Sequence, residues 1–191
     1  MLQKDIIITG LDRCGKSTLV ANLWTHYNKM PYGCNIIRGD KMQKDIVPTD
    51  KHQHLYMNSI NYAFNNMKLY RDTNTSGIRL YDRLHLDEVV YGTKYRGYDT
   101  SDVFKLEESY VNSFDKNSVF LIVLVDEPAN LVTRDDGLGF TADIAEMAKE
   151  KQLFIDAYSD SNIEQKILIN IKNFTIQQVF NKVLCFVEDT Y

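Results

Sequence analysis

Gly10-Leu11-Asp12-Arg13-Cys14-Gly15-Lys16-Ser17-Thr18 gathers more potential chemistry than any other stretch of the chain. Two glycines with four residues between them, then a lysine and a hydroxyl, fit a loop that folds around a phosphate. The glycines let successive backbone N–H groups converge on one point, and a following helix adds the positive end of its dipole. Lys16 then reaches the β- and γ-phosphates of a nucleoside triphosphate, and the Ser17 hydroxyl ligates Mg2+. The competing reading is a glycine-rich turn that binds nothing, in which neither Lys16 nor Ser17 would be required. Pattern and context together favour nucleotide binding. Cys14, inside the loop, reads as a small filler residue, although its oxidation would block the site.

The elements that must position this loop follow from the apolar pattern. Ile6-Ile7-Ile8 is apolar on both faces, as a central parallel strand requires, and Leu19, Val20 and Leu23 mark one side of the next helix. Further strands are predicted over Cys34–Arg38, Ile78–Tyr81, Val119–Val125 and Lys166–Asn170. Helices are predicted from Thr49 or Asp50 to about Arg71, over Leu86–Lys94, from Ser101 to about Phe114, from Pro128 to near Arg134, and over Ala142–Tyr158 and Thr175–Val187. Alternating strands and helices predict an α/β fold, a parallel five-stranded sheet with helices on both faces. Ligands in such sheets gather beyond the strand carboxyl ends. The phosphate loop, Arg38, Asp82-Arg83 and Asp126 all fall there.

Composition narrows the field. The chain has 191 residues and a net charge of −4, which fits one domain over 1–191 and makes nucleic acid an unlikely partner. No apolar run is long enough for a membrane span, and no signal-peptide pattern is seen. Cys14, Cys34 and Cys185 have no metal-ligand spacing, so reduced thiols in a cytoplasm are expected.

Gly-Leu-Asp-Arg-x-Gly-Lys-Ser-Thr resembles the phosphate loop of thymidylate kinases, in the form that carries an Asp-Arg pair within the loop. Asp82-Arg83 after an apolar strand, and Asp126-Glu127-Pro128 after another, resemble further motifs of that family. The resemblance implies a three-layer P-loop kinase fold with a short lid at about 134–142. It implies that Asp12, Cys14 and Thr18 join Gly10, Gly15, Lys16 and Ser17 around ATP, and that Arg134 stacks on its adenine. Lys16 and Arg13 would neutralise the transferring phosphoryl group. The 135–141 segment carries no arginine, consistent with an arginine supplied by the loop instead. Arg83 and Arg38 would clamp an acceptor monophosphate through planar forks. Asp82 would help Ser17 hold Mg2+, Asp12 would accept from the acceptor's 3′-hydroxyl, and Tyr91 would lie against its 2′ carbon. Relatives are commonly homodimers.

The base-reading residues of that family are missing in their usual form, because no arginine lies between Arg38 and Arg71. On the long helix, Asn58 or Asn61 is expected to hydrogen-bond a pyrimidine and Tyr56 or Tyr62 to stack on it, with Asn58 and Tyr62 the first choice. The expected activity is ATP-dependent phosphoryl transfer to a deoxynucleoside 5′-monophosphate, dTMP or a related pyrimidine. The rivals are a deoxynucleoside kinase, with Asp40 as the nearest base, a kinase of a modified base or polynucleotide end, and a nucleotide switch.

Overall fold

A computed structural model describes residues 3–38, 50–73, 76–97, 99–111, 117–134 and 141–189. Asp40, Thr49 and most of the expected lid, 135–140, lie outside the described residues. Five strands, β1 (Gln3–Gly10), β2 (Cys34–Arg38), β3 (Gly77–Asp82), β4 (Val119–Val125) and β5 (Gln165–Asn170), form one parallel sheet in the order β2-β3-β1-β4-β5. β1 therefore lies at the centre, and Ile6, Ile7 and Ile8 are wholly buried, as is nearly every residue of β4. Burying such side chains is worth about 1.5–3 kcal/mol each, which is why these two strands anchor the core.

Among the described residues, seven α-helices surround the sheet: α1 (Lys16–Tyr27), α2 (Asp50–Asp72), α3 (His85–Tyr91), α4 (Ser101–Val111), α5 (Pro128–Val132), α6 (Ile144–Asp160) and α7 (Ile176–Glu188). α1 packs on β1, β2 and β3 and against α7, whereas α3 and α6 pack on each other, with α3 against β1 and α6 against β4 and β5. The chain passes from one side of β1 to the other between β3 and β4, which opens a crevice at the carboxyl ends of β1, β3 and β4. No helix among the described residues is long and apolar enough to cross a membrane.

One expected helix winds differently. The segment expected to stay α-helical to Lys94 leaves α geometry after Tyr91 and makes a π-helical turn over Gly92–Arg96, closed by Gly97 at φ 65°. The wider turn changes which side chains of 92–96 meet the rest of α3.

Candidate active site

The phosphate loop is tied to the central strands before it reaches α1. Leu11 N donates to Leu124 O at 3.1 Å, and a Cβ on Gly10 would lie 2.0 Å from that same oxygen. Only glycine lets β1 end so close to β4. Gly15, at φ 77° in the N-cap position of α1, is required by backbone conformation instead, since open space surrounds its Cα. The first turn of α1 itself carries no acidic residue, which suits its amide end to an anion. Lys16 Nζ folds back over the loop, donating to Gly10 O at 2.9 Å and Leu11 O at 2.6 Å, with Asp12 Oδ1 at 3.8 Å. Burial, then the nearby Arg83 charge, pulls its pKa down, against the opposite pull of Asp12 and Asp87. An incoming phosphate would relieve that penalty.

β3 delivers the second charged pair beside this loop. Asp82 is the register partner of Ile8, and Arg83 N donates to Ile8 O at 2.9 Å. Arg83 then takes a left-handed backbone at φ 71°, as Arg13 does at φ 67° in the phosphate loop. Its guanidinium donates from Nη1 to Asp87 Oδ1 at 2.8 Å and from Nη2 to Asp12 Oδ1. Asp87 is itself fixed, because its Oδ2 accepts from Thr9 Oγ1 at 2.5 Å and from Leu84 N, at the start of α3, at 3.3 Å. Burial disfavours the Arg83 charge, but Asp87 and Asp12 outweigh burial and hold it protonated. Arg38 is the register partner of Asp82 on β2 and is exposed there.

Ser17 Oγ donates to Asp82 Oδ2 at 3.2 Å, joining the start of α1 to the end of β3. One hydroxyl and one carboxylate at that separation fit Mg2+, which takes few protein ligands and completes its shell with phosphate oxygens and water. Among the described residues there is no cluster of three or more His, Cys, Asp or Glu able to hold a metal.

α3 and the π turn build the adjoining wall. Tyr91 is buried, edge-on to Phe154 at 5.8 Å and stacked near Tyr95 at 6.1 Å. Burial, then Asp12, raises the Tyr91 hydroxyl pKa well above its ordinary value, so it stays neutral. Glu150 of α6 accepts from Lys94 Nζ at 3.0 Å and from the Tyr95 hydroxyl, fixing the π turn to α6. Arg96 pairs with Glu88 Oε2 and lies over the Tyr56 ring, 4.6 Å from its centroid.

On α2, Asn58 and Tyr62, expected to contact a base, are both exposed. Ile60, Ala63, Phe64 and Met67 form its inward face. Asn58 and Tyr62 each lie two residues from Ile60, about 200° around the axis, and point outward; Tyr62 is 70% exposed. Tyr56, four residues before Ile60, meets the π turn through the Arg96 guanidinium, while Phe64 packs 5.3 Å from the His85 ring of α3.

Other residues singled out in the sequence fall in plain places. Arg134 is exposed, its Nη1 3.3 Å from Oδ2 of the buried Asp126, at the carboxyl end of β4. Asp126 Oδ1 accepts from Glu127 N at 2.7 Å and Asn130 Nδ2 at 3.0 Å. Burial pushes the Cys14 thiol up to about 12, so it is an inert filler of the loop. His85, close behind Asp82-Arg83 in the chain, is buried with its Nε2 2.7 Å from Glu107 Oε1.

The contacts that Asp87, Glu88 and Arg96 make were not legible in the sequence. The i,i+4 spacing of Arg83 and Asp87 was a usable signal. The Glu88–Arg96 pairing was not, because a π turn cannot be read from hydrophobic periodicity.

No family model matches the chain, and no curated protein matches it. Solved structures do match. The YorR protein of Bacillus subtilis, crystallised in complex with phosphorylated GDP, aligns with a TM-score of 0.67 and 19% identity over 97% of this chain and 96% of its own. Thymidylate kinase from Candida albicans gives 0.68 and 16% over 98% and 92%, and that from Ehrlichia chaffeensis 0.69 and 12% over 98% and 100%. The sheet order, the loop after β1 and the helices around the sheet thus make up the three-layer P-loop fold that thymidylate kinases have.

Proposed function

We propose that this chain is a nucleoside monophosphate kinase, which moves the γ-phosphoryl group of ATP to a deoxynucleoside 5′-monophosphate. The observation that carries the reading is Arg83. Its guanidinium is held beside the phosphate loop, at a left-handed backbone, by two carboxylates that leave it partly exposed. Such a cation is placed for a second phosphate rather than for the donor alone.

Each residue then has one task. The loop amides and Lys16 hold the donor phosphates, with Lys16 exchanging the Gly10 and Leu11 carbonyls for phosphate oxygens. Arg13 neutralises charge on the transferring group from within the loop. Arg83 exchanges Asp12 for the acceptor phosphate while Asp87 keeps it in place, and Asp12, once released, can meet the sugar. Arg38 adds a second fork from β2, and Arg134 lies at the donor side. Ser17 and Asp82 would hold Mg2+, which when bound screens the phosphate charge. Tyr91, fixed by Phe154, walls off the 2′ position and favours a deoxyribose. An acceptor phosphate is already anionic near neutral pH, so positioning and electrostatics carry the reaction and no general base is needed.

dTMP or a related pyrimidine is the first acceptor class to test, within a single domain and in the homodimeric state that the resemblance implies. Labelled ATP offered with a panel of nucleosides, monophosphates and DNA ends should label a monophosphate. Arg13→Ala and Lys16→Ala should abolish that transfer while the fold survives. Full turnover by Arg13→Ala, or labelling of a nucleoside 5′-hydroxyl instead, would refute the reading.

A further inference from the structure

We propose that Glu88 reads the edge of the acceptor's base, and that it selects a base turning an exocyclic amino group toward it, cytosine or guanine, over thymine. The inference rests on α3 flanking an acceptor nucleotide, as argued above.

Glu88 follows Asp87, the carboxylate that fixes Arg83, and precedes Tyr91 by three residues on the same short helix. Its side chain is 6% exposed. Oε2 is taken by the Arg96 guanidinium, which is 3% exposed and lies over Tyr56. Oε1 is buried and has no hydrogen-bond partner among the described residues. Buried carboxylate oxygens are normally satisfied, so one left without a donor needs an explanation. Burial raises the Glu88 carboxyl to about 7, against the pull of Arg96 and with Asp87 adding to the rise. A donor arriving from a ligand would restore the ionised form.

The chemistry of that ligand follows from the inventory of donors. An ionised carboxylate only accepts. Thymine presents a single N3–H between two carbonyl oxygens, which would face Oε1 with like partial charge. Cytosine presents its N4 amino group, a recognised partner of glutamate. Guanine presents N1–H beside its N2 amino group. Arg96 stands next to Glu88 as a donor and complements the acceptor atom that neighbours the amino group on either base. Tyr56 supplies the aromatic face from α2. Together they replace the base-edge arginine that the long helix lacks.

The test uses pairs of acceptors of which one member lacks the amino group: dCMP against dUMP, where a C4 carbonyl replaces it and N3 gains a proton, and dGMP against deoxyinosine monophosphate, where hydrogen alone replaces it. The full chain should prefer the amino member of at least one pair by roughly tenfold or more in kcat/KM, because a site built for a hydrogen bond rejects the analogue that lacks it. The responding pair identifies cytosine or guanine. Glu88→Gln should shrink that preference mainly through KM and improve dTMP, since an amide can donate to its carbonyl. Equal use of both members of each pair by the unaltered chain would overturn the role of Glu88 while leaving the kinase reading intact. Failure to phosphorylate any monophosphate would remove both.

Discussion

Two clusters of aspartate and arginine stand at opposite ends of β1 and β3. At the amino end, Asp5 and Arg79 are register partners within the ladder. Asp5 Oδ1 accepts from Arg79 Nε at 2.5 Å, and Oδ2 accepts from Arg79 Nη2 at 2.8 Å and Arg71 Nη2 at 2.9 Å. Both carboxylate oxygens are met, Asp5 and Arg79 are buried, and the backbone is ordinary strand. At the carboxyl end, Arg83 bridges Asp12 and Asp87 from a left-handed position just past the ladder, partly open to solvent and next to a loop of amides. The residue types are the same. What differs is whether a partner can leave: Asp5 cannot release Arg79 without a charge being stranded inside the sheet, whereas Asp12 can release Arg83 to an anion. Whether an Asp–Arg pair is open to a ligand thus depends on where it sits relative to the ladder, not on its presence.

The contrast can be broken by mutation. The largest effect expected is on activity at the carboxyl end: Arg83→Gln should lower kcat/KM by about 10³ or more, with an unfolding midpoint near that of the unaltered chain. A large fall in that midpoint would make the upper cluster as structural as the lower. Asp5→Asn should do the reverse, costing roughly 3–5 kcal/mol in urea unfolding because two buried arginines lose their counter-charge, while the folded fraction still binds ATP. Retained stability would show that Arg79 finds other compensation.

A third, wholly interior carboxylate sharpens the structural side. Glu107 accepts from Ser161 Oγ at 2.6 Å, Asn162 N at 2.7 Å and His85 Nε2 at 2.7 Å. Burial pushes its carboxyl up, but these partners outweigh burial and bring it to about 2, from an ordinary 4.5. A pKa lowered by folding stabilises above the unfolded value and is lost as pH falls through the folded one. Stability should therefore drop between about pH 4.5 and 2, and Glu107→Gln should flatten that part of an acid-unfolding profile. The smallest effect concerns the backbone at Arg83. Arg83→Gly should be about 1 kcal/mol more stable than Arg83→Ala in thermal unfolding, because only glycine takes φ 71° without strain. Equal stabilities would mean that the left-handed turn does not persist without the guanidinium.

The parts legible in the sequence were those encoded locally. Ile6-Ile7-Ile8 announced the central strand, β2 and β4 have the bounds their apolar runs implied, and Gly10 and Gly15 marked backbone that nothing else allows. Asp82-Arg83 was legible because a strand end is a place, and the fold turns that place into one side of a crevice. The rest needed phase or register. On α2 the choice between Tyr56 and Tyr62 was one of helix phase, which Ile60, Phe64 and Met67 decide only once they are known to face inward. Asp5 and Arg79 meet because β1 and β3 pair in one register out of several, across 74 residues of chain. Glu88 meets Arg96 because the helix between them changes its winding.

That winding has an evolutionary consequence. A π turn carries one residue more than an α turn over the same rise, so removal of the codon for Arg96 itself would restore regular winding. Tyr56 and Glu88 would lose their shared cation in one step, while the phosphate loop, built on other elements, would keep its shape. A crystal structure of such a deletion should show Glu88 without Arg96. A single in-frame deletion here thus alters the wall beside α3 while the neighbouring loop, anchored on β1 and β4, is left alone.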